Sequence, residues 1–89
     1  MQDLTLFYLK NCPYCISAMR ILDELIAEEP YRGISVHRIE ESEQPDLADQ
    51  FDYYYVPTFF FNQQKLFEGA MERKDVLHVL NQVVDHESL

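Results

Sequence analysis

Asn11-Cys12-Pro13-Tyr14-Cys15 lies at the junction of an apolar run and a helical pattern, and it holds both cysteines of the chain. The preceding residues, Leu4 to Leu9, are apolar at nearly every position, as in a strand buried on both faces of a sheet. Pro13 suits the first position of a helix, where no backbone N–H is needed. The residues that share one face of that helix are Ile16, Met19, Leu22 and Ile26. The segment therefore predicts a strand that ends just before Cys12 and a helix that begins just after it.

The spacing of the two cysteines favours thiol chemistry. Cys12 falls at the predicted helix N-terminus, where free N–H groups and the helix dipole stabilise an anion, and a stabilised thiolate is a nucleophile. Cys15 lies one turn along on the same side, within reach of a disulfide with Cys12. We therefore predict a redox pair in which Cys12 attacks a disulfide and Cys15 resolves the product.

Other roles for the pair are less favoured by the sequence. A structural disulfide across so few residues would constrain the unfolded chain very little. A zinc site normally has four ligands, but the chain has no second cysteine pair, and its three histidines show no paired spacing. We expect no metal. Two hypotheses from other classes stay open: a metal or iron–sulfur carrier with cysteines from two chains, and a non-catalytic interaction domain.

Two segments resemble known families. Phe7-Tyr8-Leu9-Lys10-Asn11-Cys12-Pro13-Tyr14-Cys15 resembles the active-site segment of dithiol glutaredoxins, and Tyr55-Val56-Pro57-Thr58-Phe59-Phe60-Phe61 resembles the Val-Pro-Thr segment and following strand of thioredoxins. The resemblance extends from Leu4 to Leu80 and identifies a small glutaredoxin- or thioredoxin-like thiol–disulfide oxidoreductase. It implies that Pro57 is cis and lies beside the cysteines, with the Val56 backbone pairing to an extended substrate segment.

Further candidate residues surround the catalytic pair. Those expected to support the active site are Pro13, Tyr14 and Pro57. Those expected in the substrate groove are Tyr55, Val56, Thr58 and Gly69. Tyr14 is either a wall of that groove or an exposed spacer. The run Tyr53-Tyr54-Tyr55 either fills the edge of the core or forms an aromatic rim that grips the substrate.

The chain departs from both families, and the departures bear on the electron donor. In thioredoxins, the position that matches Leu6 carries a buried acidic residue, which takes a proton from the resolving thiol. Glu68-Gly69 stands where dithiol glutaredoxins carry a Gly-Gly pair that admits glutathione, and Leu9 replaces a basic residue common before the first cysteine. We expect a thioredoxin-type donor, a flavoprotein reductase. Glutathione is the alternative co-substrate, and a glutathione-dependent dithiol glutaredoxin is the alternative function.

The remaining pattern predicts one α/β domain over residues 1–89. The helix from Pro13 should reach about Glu29, where Pro30 ends it. Further elements are expected as a strand over 34–39, a short helix over 45–52, strands over 59–61 and 65–67 joined by residues 62–64, and a helix over 73–86. Residues 40–44 read as a solvated acidic loop. The order βαβαββα, a four-stranded mixed sheet with helices on both faces, is the thioredoxin-like fold that the resemblance also implies.

Composition restricts partners and location. A formal charge of −9 argues against nucleic acid and anionic membranes as partners. No apolar run approaches the length needed to cross a bilayer. The residues Met1 to Leu4 lack the basic flank and cleavage site of a secretory signal, so we expect a cytoplasmic protein. We further expect a monomer that acts on disulfide-containing proteins and holds no tightly bound cofactor.

Overall fold

The computed structural model describes residues 3–87, which form a sheet flanked by three helices. The elements in chain order are β1 (Asp3–Tyr8), α1 (Pro13–Ile26), β2 (Ser35–Glu40), α2 (Pro45–Ala48), β3 (Thr58–Phe61), β4 (Gln64–Glu68) and α3 (Arg73–Glu87). The predicted order βαβαββα is confirmed. No helix in this part of the chain is both long and apolar enough to span a membrane.

The sheet has the strand order β2-β1-β3-β4. β1 pairs in parallel with β2, with Leu4 opposite Val36, and antiparallel with β3, with Phe7 opposite Thr58. β3 and β4 form an antiparallel hairpin whose turn residues, Asn62 and Gln63, both have positive φ. The mixed four-stranded sheet is therefore as predicted, and the central position of β1 explains why its sequence is apolar on both faces.

The main core lies between one face of the sheet and two helices, α1 and α3. Leu4 and Leu6 of β1 and Leu22 of α1 are fully buried there. The buried residues of α3 in this cluster are Val76, Val79, Leu80 and Val83. This packing fixes the position of α1, and with it the two cysteines near the carboxyl end of β1.

A smaller aromatic cluster covers the opposite face of the sheet. Phe7 and Phe60 are buried there against Ala48 of α2, and Phe51 and Tyr53 pack around them. The rings of Phe7 and Tyr53 are stacked with centroids 4.9 Å apart. Helices therefore lie on both faces of the sheet, as expected, although α2 supplies only one short turn of cover.

The α1 helix ends earlier than predicted. Its last residue is Ile26 rather than Glu29, and the chain then turns through Glu28, whose N–H donates to the Leu25 carbonyl at 3.2 Å. Pro30 has no N–H to bond the Ile26 carbonyl, so the helical ladder loses its bond there. The sequence predicted that α1 would end one residue before Pro30. The missing N–H of Pro30 instead removes a hydrogen bond to a carbonyl four residues earlier, so the helix ends one turn sooner. The short helix α2 likewise ends at Ala48 instead of residue 52.

The acidic segment predicted as a loop, residues 40–44, is only partly exposed to solvent. Glu40 belongs to β2, is 4% exposed, and pairs with Tyr8 in the parallel register. Its carboxylate accepts hydrogen bonds from the backbone and hydroxyl of Ser42 at 2.7 and 2.6 Å. The expectation of a solvated surface was therefore wrong for Glu40.

Candidate active site

Cys12 is the N-cap of α1. Its φ and ψ of −89° and 119° are extended, and Pro13 occupies the first helical position, as predicted. The Cys12 N–H donates to the Leu9 carbonyl at 3.1 Å, and its own carbonyl accepts from the Ile16 N–H at 2.9 Å. The thiol is partly exposed and is not in a disulfide. The first nucleophile expected from the sequence therefore lies at a helix N-terminus, reachable from solvent.

Cys15 lies one turn inside the helix and is only 1% exposed. Burial raises the pKa of its thiol from 9.0 to about 12, partly offset by the Leu9 N–H, which donates to Sγ at 3.5 Å. The neighbouring Cys12 thiol and the Glu41 carboxylate add to the rise in the pKa. The two sulfur-bearing side chains thus interact, and Cys15 is held as a neutral thiol.

The side chains beside the pair present an apolar surface. Tyr14 is 62% exposed and Ile16 57% exposed. An open groove of about 580 Å³ lies along α1 next to Ile16. Four of its lining residues are apolar or aromatic and four are charged: Tyr8, Leu9, Ile16 and Met19, with Lys10, Arg20, Asp23 and Glu24. Tyr14 does not line this groove, so its predicted role as a groove wall stays a prediction.

Pro57 follows a cis peptide bond, as the resemblance implied. It is buried and immediately precedes Thr58, which pairs with Phe7 across the β1–β3 ladder. Because Phe7 lies five residues before Cys12, this register brings Pro57 to the end of the sheet where α1 begins. The Pro57 carbonyl accepts a hydrogen bond from the Gly69 N–H at 2.8 Å.

The sequence of this chain is similar to that of a known protein. A thioredoxin from Methanocaldococcus jannaschii is 29% identical over 77 residues, which cover 86% of this chain and 89% of the relative. The chain is therefore similar in sequence to a thioredoxin. The relative also supports the enzyme class predicted from the sequence, a thiol–disulfide oxidoreductase. No protein-family model matches the chain.

Solved structures share the fold. A thioredoxin from Malassezia sympodialis has a TM-score of 0.77 at 16% identity, covering 92% of this chain and 74% of its own. A thioredoxin-like protein from Clostridium perfringens has a TM-score of 0.67 at 26% identity, covering 93% and 71%. The thioredoxin-like fold predicted from the sequence is therefore confirmed.

The predicted groove residues of this thioredoxin-like protein divide into exposed and buried groups. Tyr55 is 70% exposed and Val56 is half-buried. Thr58 is fully buried, and its hydroxyl donates to the Tyr55 carbonyl. The Thr58 side chain therefore bonds the loop from within and is not available to line a groove. Gly69 has a φ of 102°, in the region that favours glycine, and its N–H is occupied by Pro57.

The tyrosine run is split between the two roles that the sequence left open. Tyr53 belongs to the aromatic cluster, and its hydroxyl donates to the Glu41 carboxylate at 2.6 Å. Burial and this carboxylate raise the pKa of Tyr53. Tyr54, by contrast, is 83% exposed, and Tyr55 is nearly as open. Only the last two rings are available as a rim.

Sequence reasoning missed the role of Glu68. Its carboxylate accepts hydrogen bonds from the backbone N–H groups of Tyr54 and Tyr55, the latter at 2.8 Å, and from Lys65 Nζ at 2.8 Å. The hydrogen bond from Lys65, followed by those from the two amides, lowers the pKa of Glu68 to about 2. From the sequence, Glu68 was noted only as a replacement for the first glycine of a Gly-Gly pair. The structure shows that its charge is balanced by these donors.

The role of Glu40 was also not predicted from the sequence. Besides its bonds to Ser42, its carboxylate accepts from the Lys10 N–H at 3.1 Å and so ties the loop before Cys12 to the end of β2. Hydrogen bonds, those from Ser42 foremost, hold the pKa of Glu40 below its ordinary value. Cys12 and Glu40 both line an open groove of about 350 Å³. In the sequence, Glu40 is marked only by its place in an acidic run. That position suggested a solvated side chain and gave no sign of its contact with the loop before Cys12.

The departure at Leu6 noted in the sequence keeps its physical meaning. Leu6 is fully buried in the main core, so no carboxylate occupies that position below the cysteines. Lys10 Nζ forms an ion pair with Glu43 at 3.2 Å. Over residues 3–87, no three His, Cys, Asp or Glu side chains gather closely enough to hold a metal ion.

Proposed function

We propose that this thioredoxin-like protein reduces disulfides of other proteins, with Cys12 as nucleophile and Cys15 as resolving thiol. The observation that carries the proposal is the contrast between the two thiols. Cys12 is partly exposed at the N-terminus of α1, whereas Cys15 is buried one turn inside with its pKa raised to about 12. A buried neutral thiol cannot attack the substrate first, so the positions of the two cysteines determine that Cys12 begins the reaction.

The reaction proceeds through two exchanges. The Cys12 thiolate attacks one sulfur of the substrate disulfide, forms a mixed disulfide, and releases the other substrate sulfur as a thiolate. Cys15 then loses its proton to solvent or to the departing thiolate, and its thiolate attacks Cys12 Sγ. The second substrate thiol leaves, and the protein is left with a Cys12–Cys15 disulfide. Two electrons have passed to the substrate, and a reductant must return them.

Two single variants test this order. Cys12→Ser should abolish reduction of a protein disulfide, because the buried Cys15 cannot start the exchange. Cys15→Ser should accumulate a covalent adduct with the substrate, because nothing expels the mixed disulfide. Mass spectrometry under non-reducing conditions measures both, and the double serine variant is the control for non-specific labelling. Equal trapping by the two single variants would contradict the ordered mechanism.

We further propose that the electron donor is a flavoprotein reductase rather than glutathione. Glutathione carries two carboxylates, and each needs a donor on the protein. Lys10, the basic side chain nearest Cys12 in sequence, is paired with Glu43, and the Gly69 N–H is occupied by the Pro57 carbonyl. The formal charge of −9 also disfavours the approach of an anion at low salt. Glu68 adds little to this effect, because its carboxylate is balanced by Lys65.

A glutathione-dependent glutaredoxin is the alternative, and the Cys-Pro-Tyr-Cys segment favours it. The oxidised protein can be offered reduced glutathione in one assay and a thioredoxin-reductase-type flavoprotein with its nicotinamide cofactor in another. We expect rapid turnover only with the flavoprotein. Rapid glutathione-coupled turnover would reverse the order of the two functions. We also propose a cytoplasmic location, where a dithiol is kept reduced.

A further inference from the structure

The backbone from Tyr55 to Pro57 has only one residue with both polar groups free. The Tyr55 N–H donates to Glu68, and the Tyr55 carbonyl accepts from the Thr58 hydroxyl. Pro57 has no N–H, and its carbonyl accepts from Gly69. Val56, between them, makes no backbone hydrogen bond within residues 3–87. The loop therefore offers one N–H and one C=O side by side at a single position.

Glu68 holds this loop from the neighbouring strand. Its side chain is 19% exposed and bridges two backbone amides to Lys65. Lys65 Nζ also donates to the Asp52 carbonyl at 3.3 Å, which ties the start of the same segment to β4. Hydrogen bonds to an ionised carboxylate are stronger than those between neutral groups. Loss of the charge on Glu68 would therefore weaken its two direct hydrogen bonds to the loop, those from Tyr54 and Tyr55.

The side chains that Glu68 orients are two exposed aromatic rings. Tyr54 and Tyr55 are 83% and 70% exposed, although rings of this size can bury a large apolar area. An extended peptide could pair with the free groups of Val56 by main-chain hydrogen bonds and cover these rings with its own apolar side chains. A small anionic disulfide could use the backbone groups but not the rings.

We propose that Glu68 is a positioning residue that selects extended protein segments with apolar side chains beside their disulfide, by fixing Tyr54 and Tyr55 around the Val56 backbone. This inference rests on the proposed disulfide reduction by Cys12. Glu68 touches neither sulfur. It acts through the loop, so its loss changes the choice of substrate rather than the reactivity of the thiol.

The test compares two disulfides with the wild type and Glu68→Gln. Insulin serves as the protein substrate, and bis(hydroxyethyl) disulfide as a small substrate that cannot reach the rings. Glu68→Gln keeps the size of the side chain but removes its charge, and we expect KM for insulin to rise about tenfold with little change in kcat. The rate with the small disulfide should stay within about twofold. Tyr55→Ala should shift KM for insulin in the same direction.

A matched control is Glu28→Gln, because Glu28 is exposed and its carboxylate makes no ion pair or hydrogen bond in the described part of the chain. This variant has the same change in charge and should leave KM for insulin unchanged. Hydrogen exchange by NMR gives a second measurement: the amides of Tyr54 and Tyr55 should exchange faster in Glu68→Gln only. The melting temperature identifies a variant that simply unfolds.

The outcomes separate the inference from the proposed function. If the wild type reduces neither disulfide, the proposed function fails, and the inference fails with it. If the wild type is active but Glu68→Gln slows both substrates equally, Glu68 does not determine substrate choice. An unchanged KM for insulin together with faster exchange of the two amides would also overturn the inference.

Discussion

Cys15 should be alkylated far more slowly in the folded protein than in the unfolded chain when it is the only thiol. The Cys12→Ser variant isolates it. Burial is the largest cause that raises the pKa of Cys15 from 9.0 to about 12, and burial persists in this variant although the contribution of Cys12 is lost. Only the thiolate reacts with iodoacetamide. The full difference of about three pKa units would leave about a thousandfold less thiolate at neutral pH, and this is the upper bound for the variant without Cys12.

The assay follows adduct formation by mass spectrometry, in buffer and in denaturing urea, at about pH 8 where an ordinary thiol already reacts. The unfolded chain should react at least about tenfold and at most about a thousandfold faster than the folded variant. A ratio below about tenfold would refute the burial of Cys15 and its assignment as the resolving thiol. The raised pKa of Cys15 also makes the stability of the fold depend on pH. Folding raises the pKa of Cys15, so the folded state favours the neutral thiol. The contribution of Cys15 to the free energy of unfolding is therefore fully present below about pH 9 and is lost as the pH rises toward 12.

Three further outcomes can be measured by unfolding experiments. Leu22→Ala should lower the free energy of unfolding in urea by about 2 to 5 kcal/mol, because Leu22 is fully buried in the main core. Tyr53→Phe should cost about 1 to 2 kcal/mol in the same assay, because it removes the hydrogen bond to Glu41. The pKa of Glu68 is lowered from 4.5 to about 2, chiefly by Lys65, so its stabilising effect is present above pH 4.5 and lost toward pH 2. A plot of melting temperature against pH should be flatter in that range for Glu68→Gln, and an unchanged slope would contradict the bridge.

The sequence predicted the fold because its local signals agree. The apolar run of β1, the cysteine segment with Pro13, and the helical spacing of α1 all favour the same strand–helix unit. The position of Cys12 at the helix start follows from Pro13 alone, and the structure has it there. The order of the elements followed from periodicity together with a proline or glycine at every junction except the turn between β3 and β4.

The supporting residues of the site could not be predicted in this way, because their partners are distant in sequence. Glu68 binds amides 13 and 14 residues before it, and Glu40 binds an amide 30 residues before it. Neither contact produces a periodic pattern. The division of Tyr53 from Tyr54 and Tyr55 likewise depends on where a loop without regular structure crosses the edge of the aromatic cluster.

The placement of β3 protects the chain from self-association. Phe59-Phe60-Phe61 combines high hydrophobicity with strong strand propensity and no charge, a composition that favours intermolecular sheets when exposed. β3 is an interior strand, covered by β1 on one side and β4 on the other. The outer strand β4 carries Lys65, and its ladder with β3 is irregular between Phe59 and Phe60.

A charged, irregular outer strand is a poor template for another molecule. Detachment of β4 would open the phenylalanine strand to neighbouring chains. The pairing that holds β4 against β3 therefore also keeps the phenylalanine strand covered, and we expect its loss to promote aggregation at high concentration.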